Sequence, residues 1–337
     1  MRRARWLILA AITIIVFAVG STYYGRLAVW RKDAPARPVP LKSGIDATAE
    51  RWSFRQHNDR QRGANGQPCP TVEITAKKTM QFREPASYEL EDVELKIFHR
   101  QDCGATLDQV RSAKASFDMG SGVLYSEGEV DILMNIQADS QPSEKDLRVH
   151  SSGVYFETKS GSVHTDRAAS FTFEHGDGKA VGADYDPSNH QLHMKSEVEL
   201  NWTGRDGKAE PMKVETNDLV YFEQAGKVQM QPWARMTRGS MKVEGGLTWV
   251  TLEEKKIRLV ETDKANGVQN EEDRKVEYAA DHITLMFNED GQVTKGVGVQ
   301  NARASSTTDK GRADTRAGHV ELTMDDSGKQ SVLKHVA

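Results

Sequence analysis

This sequence lacks the local motifs on which several large classes of enzyme depend. It contains no GxSxG nucleophile elbow, no HExxH zinc-binding helix and no GxxxxGK[ST] phosphate loop. These absences disfavour α/β-type serine hydrolases, zinc proteases and P-loop nucleotidases. We therefore expect a protein that is not an enzyme and that has no cofactor.

Candidate metal ligands and catalytic carboxylates are also sparse. His190 and His193 lie three residues apart, so on a β-strand their side chains point to opposite faces and cannot readily share an ion. We predict no metal site. No pair of carboxylates stands out from the many Asp and Glu residues, which disfavours an envelope enzyme that cleaves glycans.

An excess of positive charge is missing from most of the chain. Six of the 45 Lys and Arg residues flank the apolar N-terminal run, and the remaining 39 face 49 acidic residues. The rest of the chain is therefore acidic overall. Bulk attraction to nucleic acid or to an anionic surface is not expected, and we predict no nucleic-acid partner.

The N-terminus does contain one long hydrophobic run. Basic residues precede Trp6–Gly20, which predicts a single transmembrane anchor over residues 1–25, with the N-terminus in the cytoplasm and the rest of the chain across the membrane. A cleaved signal peptide is the alternative, because Ala18–Gly20 offers a small-x-small cleavage site. Three prolines in Asp33–Pro40 then predict a stiff, extended linker over residues 26–48.

Beyond the linker, most apolar residues alternate with polar ones. In Phe117–Met134 an aromatic and an acidic residue end one run, a glycine-containing turn follows, and Val130, Ile132 and Met134 then fall on one face of a strand. The same order returns at irregular intervals, most of them roughly 30 to 40 residues, as expected for a loose array of hairpins. Its later copies begin at Phe156-Glu157, Tyr185-Asp186, Phe222-Glu223, Phe287-Asn288 and Met324-Asp325. This periodicity predicts an all-β fold of antiparallel strands.

The inward-facing apolar residues are the functional candidates, since either a lipid-binding groove or a closed sandwich core would use them. The candidates are Val130, Ile132, Met134, Phe171, Phe173, Leu192, Met194, Val198 and Leu200.

The two cysteines flank one predicted hairpin. Cys69 lies just before the strand Val72–Ala76, and Cys103 lies just after the strand Tyr88–Phe98. Both thus fall at the open end of the hairpin, where an exported protein is expected to form a disulfide. A reactive or metal-binding pair is disfavoured, because no CxxC motif or histidine cluster accompanies them.

Polar segments divide the strand array. Thr203–Pro211 is the best candidate for a domain boundary, which gives one β-domain over 49–205 and a second β-segment over 206–337. Asp263–Arg274 reads as a solvated loop.

The ordered series of short segments resembles the LptC family of lipopolysaccharide-export proteins, related to the LptA and OstA-like proteins. The segments are Trp52–Phe54, Val72–Ala76, Tyr88–Val93, Gly128–Val130, Ser162–Asp166 and Gly182–Asp186. The resemblance covers roughly residues 5 to 200. Asn217–Tyr221 and Ile283–Leu285 suggest a second OstA-like segment over 210–337.

The resemblance implies an open, taco-like antiparallel β-jellyroll, either one long unit or two stacked units, whose interior holds acyl chains. It also implies a periplasmic protein anchored in the inner membrane. Such a protein receives lipopolysaccharide from an ATP-driven (ABC-type) extractor and passes it to an LptA-type jellyroll by edge-strand pairing. The alternative is an anchored envelope scaffold that joins partners through its sheet edges and binds no lipid.

Overall fold

The computed structural model describes residues 45–336, apart from 64–65, 83–85, 100–102, 139, 141–142, 144–145, 175, 204–209, 255, 271–272 and 326–331. The predicted membrane anchor (1–25) lies outside the described residues. Within them, no helix has the length and apolar character that a membrane crossing needs.

The described chain is all-β, as the alternating pattern predicts. Its strands are β1 (Ile45–Arg62), β2 (Pro68–Phe82), β3 (Ser87–Phe98), β4 (Thr106–Asp118), β5 (Val123–Gln137), β6 (Leu147–Glu157), β7 (Val163–Phe173), β8 (Gly176–Asp186) and β9 (Gln191–Trp202). They continue as β10 (Met212–Phe222), β11 (Lys227–Arg238), β12 (Met241–Gly245), β13 (Thr248–Glu253), β14 (Lys256–Asn270), β15 (Arg274–Phe287), β16 (Val293–Thr308), β17 (Gly311–Asp325) and β18 (Val332–Val336).

Successive strands pair antiparallel, so the sheet is a meander. One departure occurs where β12 pairs with the second half of β11 and β13 with its first half. Both also pair with β14, so together they fill the place of one strand. The turns after β2, β4, β6, β8, β10, β13, β15 and β17 lie at one edge of the strands, here called the upper edge. The connection between β12 and β13 lies beside the middle of β11, and the remaining turns lie at the lower edge. The repeated aromatic–acidic motif marks upper-edge turns, such as those that follow Asp118 and Asp186.

Two boundaries differ from the sequence-based expectation. β1 begins at Ile45, inside the segment predicted as linker (26–48). The solvated loop predicted over Asp263–Arg274 is wrong, because β14 runs to Asn270 and β15 begins at Arg274. Ala265 is buried there, and Gly267 pairs with the buried Tyr278, so a polar sequence with few apolar residues still has one inward face. Thr203–Pro211 does separate two strands, but β9 and β10 pair directly across it.

A row of irregularities crosses the middle of the strands. The register shifts between Ser126 and Glu129 on β5, between Thr165 and Ala168 on β7, and between Thr216 and Leu219 on β10. Similar shifts occur in β15 and β16. Because an extra residue bends a strand and increases its twist, these aligned bulges bend the sheet along one line. Each long strand is thereby divided into an upper and a lower half.

Buried hydroxyl groups satisfy backbone oxygens along this bend. Thr216 Oγ1 donates to the Trp233 carbonyl oxygen at 2.6 Å, and Thr165 Oγ1 donates to that of Ser152 at 2.8 Å. Ser151 Oγ donates to the Ala168 carbonyl oxygen at 2.9 Å. Since a bulge interrupts the backbone ladder and a buried carbonyl without a partner is costly, Ser and Thr at these positions stabilise the bend.

The bend brings lower halves of early strands against upper halves of later ones. Ile97, at the lower end of β3, has its Cγ2 atom 3.7 Å from the position that a Cβ on Gly161 would occupy, in the upper turn after β6. Arg238, at the lower end of β11, donates to the carbonyl oxygen of Gly291 in the upper turn after β15. The sheet thus forms two layers, offset by about four strands, with apolar side chains between them.

The lower end of the early strands is closed covalently. Cys69 on β2 and Cys103 in the turn after β3 form a disulfide, with their Cα atoms 5.0 Å apart. A cross-link that closes a loop of this length stabilises the fold by about 3–4 kcal/mol on the loop-entropy model.

Candidate functional site

A cavity lies between the two layers in the first half of the chain. The lower halves of β3–β7 line one side, and the upper halves of β6–β9 line the other. The lining residues are Ile97, Asp108, Ile132, Met134, Val149, Ser151, Val154, Val163, Thr165, Ala169, Phe171, Ala183, Tyr185 and Leu192. The cavity volume is about 40 Å³, which is room for a few water molecules. Side chains therefore fill most of the interior.

The nine residues predicted to face inward occupy different parts of this interior. Ile132, Met134, Phe171 and Leu192 line the cavity. Val130, Met194 and Val198 are buried in the surrounding core, and Leu200 packs against that core while partly exposed. Phe173 packs against Trp202 near the lower edge, with ring centroids 5.7 Å apart. The structure thus places four of the nine around one space.

The cavity also contains a carboxylate that the sequence pattern did not single out. Asp108 is 2 % exposed, and its Oδ1 accepts a hydrogen bond from the Asn135 backbone N–H at 2.7 Å. His99 Nε2 lies 3.2 Å from the same oxygen. The other oxygen, Oδ2, has no hydrogen-bond partner among the described residues. No local signal marks Asp108 in the sequence, because Val110 is the one apolar residue on a strand face shared by Thr106, Asp108 and Ser112.

Tyr185 lines the same cavity from the other layer, close enough for the charge of Asp108 to act on its hydroxyl. Burial raises the pKa of its hydroxyl above the ordinary value, and the negative charge of Asp108 contributes to the shift. The hydroxyl therefore remains protonated at physiological pH and is available as a hydrogen-bond donor. The site is consequently an apolar space with a small polar end.

The outer face of the sheet carries histidine–carboxylate pairs. His193 Nε2 lies 2.8 Å from Asp218, and His190 Nδ1 lies 3.4 Å from Glu223, so the two histidines have separate partners. No group of three or more His, Cys, Asp or Glu side chains in the described part of the chain is arranged to hold a metal ion.

One of these pairs extends into a small network. The Asp184 carboxylate raises the pKa of His164 through a hydrogen bond, and this outweighs the opposing effect of burial. Lys195 Nζ lies 3.1 Å from Asp184 and 3.2 Å from Asp166. The network ties β7, β8 and β9 together on the outer face.

The comparisons with known proteins bear on the first nine strands. The family described as "Lipopolysaccharide-assembly, LptC-related" matches residues 7–202, which end at the last residue of β9. No curated protein matches the chain. The candidate cavity lies entirely within the matched part, whereas β10–β18 continue the sheet beyond it. Because the match covers more than half of the 337 residues, the chain belongs to the LptC-related family of lipopolysaccharide-assembly proteins.

Proposed function

We propose that this protein is an anchored periplasmic carrier that holds the acyl chains of lipopolysaccharide between its two layers. It receives the lipid from an inner-membrane ABC extractor and passes it toward the outer membrane along a bridge of jellyrolls. The apolar cavity between the layers, which lies inside the family-matched region, supports this proposal most directly. Transferring lipid tails from water to such a lining is favourable by about 25 cal/mol per Å² of apolar surface.

The small volume of the cavity sets a condition on this function. A space of about 40 Å³ cannot hold an acyl chain, so loading requires the layers to move apart or side chains to move aside. Met134 and Leu192 are suited to this role because flexible aliphatic side chains adapt their packing more easily than aromatic rings do. The disulfide at the lower edge keeps β2 and β3 together while the layers separate.

The ends of the meander would provide the contacts with neighbouring proteins. β1 pairs with β2 at one end and β18 pairs with β17 at the other, so each terminal strand can add a strand from an LptA-type jellyroll. The N-terminal segment would supply the membrane anchor, with the bulk of the chain in the periplasm.

Site-specific photocrosslinking in the native envelope tests the carrier function. A photoreactive residue at Ile132, Phe171 or Leu192 is expected to crosslink to lipopolysaccharide in an ATP-dependent manner. Asp131 is the matched control, because it neighbours Ile132 on β5 but pairs with His150 on the outer face at 2.9 Å. Crosslinks of equal strength at Asp131 and Ile132 would contradict an interior site.

The same experiment separates the alternative function. An anchored scaffold that joins envelope proteins through β1 and β18 predicts protein crosslinks at those strands and no lipid crosslinks at the three interior positions. This alternative uses the same terminal strands, β1 and β18, as the bridge does.

A further inference from the structure

Cations on the outer face of the sheet are usually matched by carboxylates on a neighbouring strand. Arg55 Nε lies 2.6 Å from Glu73, and Arg235 Nε lies 2.6 Å from Glu244. A longer series links Lys179, Glu199 and Lys213 across β8, β9 and β10. Cross-strand pairs of opposite charge stabilise a sheet, whereas like charges directly opposite each other destabilise it.

Arg303 and Arg316 depart from this arrangement. They are register partners on β16 and β17, so their side chains emerge side by side. Among the strand registers of the described residues, this is the one place where two Lys or Arg residues stand directly opposite each other. Both side chains are exposed. The charge of Arg303 acts on Glu277 and that of Arg316 on Asp314, but neither arginine makes a direct ion pair with a described carboxylate. The repulsion between the two guanidinium groups is therefore not offset by a partner at hydrogen-bonding distance.

The two arginines line a polar cleft of about 530 Å³ formed by β14–β17. Two further cations line it, but each has a carboxylate: Lys275 Nζ lies 2.7 Å from Glu277, and Arg312 Nε lies 3.0 Å from Asp314. Four cations and two carboxylates give the cleft a net positive charge within an acidic protein. Lys275 holds the pKa of Glu277 below its ordinary value, and the charges of Arg312 and Arg303 add to this effect.

We propose that Arg303 and Arg316 form a binding site for a phosphate group. Guanidinium groups bind phosphate through pairs of parallel hydrogen bonds, and a phosphate between the two arginines would cancel their mutual repulsion. The small Ala279 side chain, which is the register partner of Arg303 on β15, leaves room beside them. The site lies on the outer face of β16 and β17, outside the family-matched residues.

Two sources of phosphate are possible for this site. One is a free phosphorylated solute, which requires nothing of the interior. The other is a phosphate on the saccharide part of lipopolysaccharide, and this assignment rests on the proposed carrier function.

Thermal unfolding and calorimetric titration of the full-length, detergent-solubilised protein test the site itself. Inorganic phosphate is expected to raise the melting temperature above that in chloride at equal ionic strength, and to bind with measurable heat. The double variant Arg303→Gln/Arg316→Gln is expected to lose both effects. The Arg111→Gln variant is the matched control, because Arg111 is ion-paired with Glu94 at 3.1 Å and its loss should leave phosphate binding unchanged. The absence of a phosphate effect on the unaltered protein, or an equal effect on the double variant, would overturn the proposal.

Titration with lipopolysaccharide and with enzymatically dephosphorylated lipopolysaccharide assigns the source. A loss of affinity of about tenfold in the double variant, seen only with the phosphorylated form, supports a lipid phosphate and has the size expected for one or two charge-assisted hydrogen bonds. Unchanged lipopolysaccharide affinity together with lost phosphate binding supports a free phosphorylated ligand. If phosphate binds while Ile132, Phe171 and Leu192 give no lipid crosslinks, the carrier function fails and the phosphate site stands.

Discussion

The family-matched strands β1–β9 and the later strands β10–β18 share one architecture but fill it differently. Around the cavity, large side chains such as Phe171 and Tyr185 extend from one layer toward the other. Between β15, β16 and β17, a smaller space of about 20 Å³ is bordered by Gly296, Gly298 and Ala302. The apolar cavity of the matched region is therefore larger than the space between β15, β16 and β17.

The outer faces of the two regions also differ, in how their charges are paired. In the first region charges are matched across strands, as in the Asp131–His150 pair and the network of His164, Asp184 and Lys195. The second region also contains matched pairs such as Arg235–Glu244, but there Arg303 and Arg316 stand directly opposite each other. The candidate site of the matched region is therefore an apolar cavity between the layers, whereas the candidate site beyond it is a polar cleft on the outer face.

Removing a buried aromatic side chain from the cavity lining should have the largest effect on stability. Phe171 is 2 % exposed and lines the cavity. We expect Phe171→Ala to lower the free energy of unfolding by about 3–5 kcal/mol, because the substitution removes buried apolar contacts and enlarges the cavity. Chemical denaturation measures the change.

Met119→Ala is the control, since Met119 is 49 % exposed and its loss should change stability by less than about 0.5 kcal/mol. A small effect of Phe171→Ala would mean that the interior of the matched region is loosely packed.

Two glycines in the second region differ in the space that surrounds them. A Cβ at Gly267 would lie 2.2 Å from the ring of the buried Tyr278, whereas a Cβ at Gly296 would meet Leu285 at 3.4 Å. We expect Gly267→Ala to destabilise the protein by about 1–3 kcal/mol through overpacking. Gly296→Ala should instead be neutral or stabilising by up to about 1 kcal/mol, because alanine restricts the unfolded chain and partly fills the small space. Thermal unfolding of the two variants side by side checks this, and equal melting temperatures would contradict it.

The smallest effect concerns the outer-face network of the matched region. The pKa of His164 is raised above 6.5, so its contribution to stability is present below pH 6.5 and is lost as the pH rises through its folded value. Burial opposes ionisation of Asp184, but hydrogen bonds from His164 and Lys195 outweigh it and hold the pKa of Asp184 below 3.8. The Asp184 contribution is therefore present above pH 3.8 and is lost as the pH falls through its folded value.

The pair should thus stabilise the protein most between pH 3.8 and 6.5. Raising the pH from about 6 to 8 should cost less than about 1 kcal/mol, because the His164 and Asp184 side chains are 32 % and 40 % exposed and solvent screens their interaction. His164→Asn should reduce this pH dependence, as followed by urea denaturation across the pH series. His319→Gln, at an exposed position on β17, should leave it intact. An unchanged pH profile in His164→Asn would place the dependence elsewhere.

The sequence predicted the all-β class and most turns because alternation and glycine-containing turns are local properties. Val130 and Ile132 face inward as their spacing indicates, and the turns after Asp118 and Asp186 fall where the motif places them. The extension of β14 to Asn270 escaped prediction, because a strand whose inward residues are Ala265, Gly267 and Gln269 has too little apolar character to stand out.

The residues that line the cavity could be predicted only in part. The alternating pattern identified Ile132 and Phe171 as inward-facing, yet it could not distinguish them from Val130 or Val198, which are buried away from the cavity. Asp108 was missed for a related reason, since its burial depends on His99 and on the backbone of Asn135, which are distant in sequence.

The sequence alone indicates which residues face inward along each strand, because the side-chain period of two is a property of the extended backbone. Which residues of the opposite layer they contact depends on the tertiary structure. The aligned bulges, held by hydroxyl groups such as those of Thr165 and Thr216, bend the sheet so that lower halves meet the upper halves of strands about four places later. The opposed pair Arg303–Arg316 likewise depends on the register between β16 and β17, which is set by strand pairing and not by either residue's neighbours in the chain.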